Sequence, residues 1–153
     1  KKGVHNSYCS PDSINEFNWE NLKKYPQVFE YYRNLIQLRK NHPAFRLAKA
    51  EAVREHLEFL PTGSADPKNA GEQAEKEGCL LAFRLKNLEG IDSWKNIIVL
   101  LNANKEARTI AIPQGEYHVA CCNGVINEDG IGMPLVGNKT IIDGQSALIL
   151  YQK

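Results

Sequence analysis

The sequence predicts one long helix with an unusually wide apolar surface, followed by an all-β antiparallel sandwich. Between Tyr25 and Phe45, the residues Val28, Phe29, Tyr32, Leu35 and Ile36 fall on one helical face, and Tyr31 and Leu38 widen it. From Cys79 onward, short runs of β-branched and apolar residues alternate with turn chemistry. A helix whose apolar surface is that wide expects contact on two sides.

Residues 1–18 read as loop, carrying Gly3, Pro11 and many Asn, Ser and Asp side chains. Ser10-Pro11-Asp12-Ser13 is a turn signal, because Pro fixes φ and Asp bonds its own backbone two residues on. The segment is long for a mere connection and carries Tyr8 and Phe17. Asn18 is expected to cap a short helix over Trp19–Lys24, with Glu20 favouring the dipole.

Pro26 suits the first position of the long helix. Arg39 and Lys40 oppose the partial charge of its last turn, and His42 before Pro43 stops it near Asn41. At 1.5 Å per residue its length is about 24 Å, the span of a helix on the outside of an α/β barrel or sheet. Lys49 to His56 reads as a short helix, and Leu57-Glu58-Phe59 as a short strand. Thr62 to Gly78 has almost no apolar side chains and reads as a surface loop.

Strands are expected at Cys79–Lys86, Asn96–Asn102, Glu106–Ile112, Tyr117–Cys122, Lys139–Asp143 and Ala147–Gln152. Pro113-Gln114-Gly115, Asn123-Gly124 and Asp143-Gly144 are read as turns between them. The run Ile97-Ile98-Val99-Leu100-Leu101 is apolar on both faces and so marks a central strand, covered by a second sheet on one side and a neighbour on the other.

The chain of 153 residues is 42% hydrophobic and 24% charged, with a net charge of +1. That balance offers no basic patch for nucleic acid or a membrane surface, and no apolar run reaches the roughly 18 residues of a spanning helix. No apolar signal region follows Lys1-Lys2-Gly3-Val4-His5, and localisation stays open between cytoplasmic and secreted or periplasmic. Cys9, Cys79, Cys121 and Cys122 form no CxxC pair, so no zinc site is expected. One or both of the adjacent Cys121 and Cys122 are read as buried small apolar side chains, with a disulfide to Cys79 or Cys9 left open. His42, His56 and His118 have no metal-ligand spacing, and there is no calcium-loop pattern. Trp19 and Trp94 are expected as packing anchors and Met133 as a core residue, the competing reading being that Met133 and exposed aromatics form a sugar-binding surface.

KKGVHNSY (1–8), SPDSIN (10–15), and LIQLRK (35–40) with HPAF (42–45) closely resemble the C-terminal region of type I pullulanases. Those are α-amylase-superfamily enzymes of glycoside hydrolase family 13 that debranch α-1,6-glucosidic bonds. The helix motif is shared across the superfamily; the loop motif is the narrower signal.

The resemblance implies that residues 1–47 are the last βα loop and final helix of a (β/α)8 barrel, and that residues 48–153 are a C-terminal β-sandwich domain. It implies hydrolysis of pullulan, starch or glycogen branches by a retaining mechanism, which needs two carboxyls about 5–5.5 Å apart. Those acids would lie upstream of Lys1. No catalytic residue is therefore assigned here, the chain alone is expected to be inactive, and Asp12, Glu16 and Glu20 are read as capping or solvated groups.

Loops at the C-terminal ends of barrel strands build the site in that architecture, so Asn6 and Tyr8 are the substrate-binding candidates, with Ser7 and His5 behind them. The competing reading is that both merely brace the loop. No cofactor is implied for this segment, although the family allows calcium elsewhere in the full enzyme. The implied partners are an α-glucan polysaccharide and the remainder of the barrel. Alternatives are an isoamylase or glycogen-debranching relative, or a non-catalytic carbohydrate-binding sandwich. A free-standing binding module has no use for a helix with two apolar flanks.

Overall fold

The computed structural model describes residues 3–62 and 79–153. The expected loop from Thr62 to Gly78 therefore lies almost wholly outside the described residues, as do Lys1 and Lys2.

Four helices open the chain: α1 (Asp12–Asn15), α2 (Asn21–Lys24), α3 (Pro26–Asn41) and α4 (Ala50–His56), with a 3-10 turn at Pro43–Arg46 between the last two. The long helix has the limits the sequence predicts. Pro26 occupies its first turn, and the His42 amide still donates to the Leu38 carbonyl at 3.0 Å before Pro43 ends the run. Asn18 does accept from the Glu20 amide, at 3.0 Å, but regular helix begins only at Asn21, so α2 is shorter than expected. α1 was not anticipated, being a single turn after Pro11.

The strands are β1 (Leu57–Phe59), β2 (Leu80–Leu85), β3 (Asn96–Asn102), β4 (Arg108–Cys122), β5 (Val125–Ile126), β6 (Leu135–Ile142) and β7 (Ser146–Gln152). They make a seven-stranded antiparallel sheet in the order β1-β2-β3-β7-β4-β5, with β6 paired to β4 off that path. The switch from α4 to β1 at Leu57 and the limits of β3 match the sequence reading.

Pro113-Gln114-Gly115 does not form the expected turn. β4 runs straight through it, with a register shift between Ala111 and Gly115 where the strand bends. The Tyr117 hydroxyl donates to the Pro113 carbonyl at 3.0 Å across the bend. β4 pairs with β6 on both sides of the bend, over residues 108–111 and 115–117, and with β7 over residues 118–122. The expected sandwich is built from one sheet that folds over on its longest strand, closing Ile98, Leu100 and Leu150 against Ile110 and Ile142. Asn123 (φ 48°) and Gly124 (φ 78°) both take the left-handed conformation that a two-residue hairpin turn demands, linking β4 to β5.

β3 shows why its sequence is apolar throughout. Ile97 and Val99 pack with Leu85, Trp94, Ile149 and Tyr151 beneath Leu38 of α3 and Ala44 of the 3-10 turn. Ile98 and Leu100 point the other way, to Ile110, Ile142, Leu148 and Leu150 inside the fold-over. Both faces are covered, one by helix and one by the folded-back strands.

Among the described residues, α3 is covered on one flank only. Leu38 is buried, whereas Val28 (51% exposed), Phe29 (51%), Tyr32 (63%) and Ile36 (59%) face outward. Two anchoring expectations fail. Trp19 is exposed, with its ring edge to face with Phe17 at 4.7 Å, and among the described residues no strand covers it. Met133 is exposed in the loop between β5 and β6. No helix among the described residues is long and apolar enough to cross a membrane.

Candidate cleft loop and the helix-sheet junction

The structure brings Asn6 and Tyr8 together in one small turn. The Asn6 side-chain oxygen accepts the Tyr8 amide at 3.0 Å, and the Ser10 amide donates to the Ser7 carbonyl at 3.1 Å. Tyr8 and Cys9 are the two central residues of that turn, and Cys9 sits at φ 59°. From inside the loop, Asn15 donates to the carbonyls of Ser7 (2.9 Å) and Ser10 (3.0 Å). The outcome is a Tyr8 ring displayed at 87% exposure. An exposed aromatic face beside an amide side chain suits a sugar, whose C–H face stacks and whose hydroxyls need paired donors and acceptors.

The second feature is the junction between α3 and the sheet, which local sequence did not signal. His42 is buried with its Nδ1 2.7 Å from Asp92 Oδ1. Asp92 also accepts the amides of Ala44 (3.1 Å) and Trp94 (3.0 Å). The other ring nitrogen of His42 lies 3.6 Å from Glu128, which accepts two hydrogen bonds from Asn41. His42 stacks on Trp94 (3.5 Å between centroids), Trp94 on Tyr151 (4.0 Å), and Tyr151 on His118 (5.2 Å). The HPAF motif is therefore the plug that seats the helix on the sheet. Trp94 is the anchor the sequence reading expected.

All four cysteines are free thiols. Burial pushes the Cys121 thiol up, against the opposing hydrogen bond from Tyr31. Burial likewise raises the Tyr31 hydroxyl, with Cys121 adding to it. This contact ties the middle of α3 to the end of β4. Among the described residues, no three His, Cys, Asp or Glu side chains gather closely enough to hold a metal ion.

Residues 72–124 match the family model described as the pullulanase all-beta domain. Those residues are similar to a pullulanase all-β domain. The chain's likeness to pullulanases extends well beyond them. The chain is 37% identical over 153 residues to the pullulanase of Bacillus subtilis (strain 168), across 99% of its own length and 19% of that protein's. The pullulanase structure from Bacillus acidopullulyticus superposes with a TM-score of 0.80 at 36% identity, covering 99% of this chain and 17% of that one. A crystal structure of type I pullulanase from B. subtilis, complexed with maltose, gives 0.78 at 33% identity over 99% of this chain and 19% of that one. The chain thus spans about a fifth of the length of these Bacillus pullulanases. Because the match takes in nearly all of this chain, the entry loop and α3 share the pullulanase likeness with the sheet.

Proposed function

We propose that this chain is the C-terminal part of a pullulanase-type debranching enzyme that hydrolyses α-1,6-glucosidic bonds in pullulan, starch or glycogen. Residues 1–47 form the last βα loop and final helix of its catalytic barrel, and residues 48–153 its terminal β domain. The observation that carries this reading is the open flank of α3. Val28, Phe29, Tyr32 and Ile36 form a contiguous apolar stripe, and soluble proteins rarely leave such a surface uncovered. The pullulanases matched here have about four-fifths of their length outside this segment, enough chain to supply the cover. A free-standing carbohydrate-binding sandwich would leave that flank unexplained.

In this reading the catalytic carboxylates, which act by a retaining mechanism, belong to the remainder of the barrel. Asn6 and Tyr8 line the rim of the cleft. The Asn6 oxygen is engaged by the Tyr8 amide, so its amide nitrogen is the group offered to a sugar hydroxyl. Tyr8 supplies the flat face.

Product analysis tests the reading. The enzyme that contains this chain should release maltotriose from pullulan, while purified residues 1–153 should release nothing. Debranching of glycogen with no action on pullulan would instead make the parent an isoamylase-type relative. Hydrolysis by residues 1–153 alone would overturn the assignment of the catalytic acids to the rest of the barrel.

A further inference from the structure

We infer that Asn15 is a positioning residue for substrate binding, acting through Tyr8; this rests on the cleft-rim reading above. The turn that presents Tyr8 is not one its own residues favour. Its third position, Cys9, holds φ at 59°, where glycine or asparagine is usual and where an ordinary side chain costs about 1–2 kcal/mol. Conformations of that kind persist only where surrounding contacts over-determine them.

Asn15 supplies the determining contacts. Its side-chain amide is a two-donor group, and both donors are used, on the Ser7 carbonyl at 2.9 Å and the Ser10 carbonyl at 3.0 Å. Those are the first and last residues of the turn. Holding both carbonyls inward leaves the intervening Tyr8 and Cys9 directed away from the loop, and both are exposed. The staple is itself fixed, because Asn15 ends the helical turn that follows Pro11 and its own amide donates to the Pro11 carbonyl at 3.1 Å. Asn15 therefore never needs to touch the glucan. It sets where the Tyr8 ring stands.

A double-mutant cycle in the full enzyme tests this, reading kcat and KM on pullulan for Tyr8→Ala, Asn15→Ala, Asn15→Asp and the Tyr8→Ala/Asn15→Ala pair. Asn15→Asp keeps the shape and removes the donors. Each single change is expected to lower kcat/KM roughly 10-fold or more, mainly through KM, the scale on which a displaced positioning group acts. The pair should be no worse than Tyr8→Ala alone, and the melting temperature should hold. Wild-type behaviour of Asn15→Asp, or losses that multiply in the pair, would overturn the role of Asn15 while leaving Tyr8 in the cleft. An inert Tyr8→Ala would overturn the cleft-rim reading and the inference with it.

Discussion

Asp92 and His42 stand 50 residues apart in the chain and 2.7 Å apart in the fold. Through that contact one carboxylate, its side chain wholly buried, fixes the helix end, the 3-10 turn after it and the loop before β3. Removing it would leave His42 and two backbone amides without their acceptor. Asp92→Ala is expected to destabilise the chain by about 3–5 kcal/mol, the usual cost of breaking a buried pair from one side. Chemical denaturation measures this. Asp92→Asn should recover part of the loss by keeping one acceptor oxygen.

Asn102 closes the far end of β3 in the same manner. It is buried, donates to the Glu106 and Asp143 carbonyls at 2.9 Å each, and accepts from Asn104. Asn102→Ala should cost at least about 2 kcal/mol, since each buried group left unpaired costs about 1–3 kcal/mol. Asn102→Asp should be no better, because it sets a carboxylate against two carbonyl oxygens. Thermal unfolding of the two variants side by side checks the order.

Glycine is required at 144 for room and at 132 for conformation. A Cβ on Gly144 would land in the Lys105 carbonyl, which is backbone and has no easy way to yield. Gly144→Ala should therefore unfold the chain or leave it insoluble. Gly132 has open space but φ of +67°, so Gly132→Ala should fold with a loss of about 1–2 kcal/mol. Comparing soluble yield and melting temperature separates the two cases.

The β1–β2 edge carries a pH dependence of known sign. Hydrogen bonds from Arg84 and then Lys86 hold the Glu58 carboxyl below its usual range. A depressed folded-state pKa stabilises above the unfolded value, about 4.3 for Glu, and that contribution is lost as pH falls through the folded value. Glu58→Gln should lower the melting temperature slightly at neutral pH and not at all once the wild-type carboxyl is protonated. A melting series from pH 7 down to about pH 3 would show the two curves converge.

Much of the architecture could be read from sequence because its signals are local. Pro26 and His42-Pro43 bracket α3, and the unbroken apolar run of β3 declared a strand covered on both faces. Pro113-Gln114-Gly115 misled for the same reason: its residues suit a turn, but pairing with β6 both before and after it keeps the strand going. β5 was missed because two residues carry no periodicity. The His42–Asp92 contact joins distant segments, so no window of sequence contains it. Asn6 and Tyr8 were singled out by motif, but the Asn15 staple that shapes their turn emerged only from the hydrogen bonds.

In the proposed enzyme the outer flank of α3 lies against the catalytic barrel. Phe29→Asp in that full-length enzyme tests this packing most directly. Burial of a phenylalanine side chain is worth about 1.5–3 kcal/mol, and a buried charge adds to the loss. The melting temperature of the catalytic unit should fall clearly. An unchanged melting temperature would mean that Phe29 is solvated in the whole enzyme, and would contradict that packing.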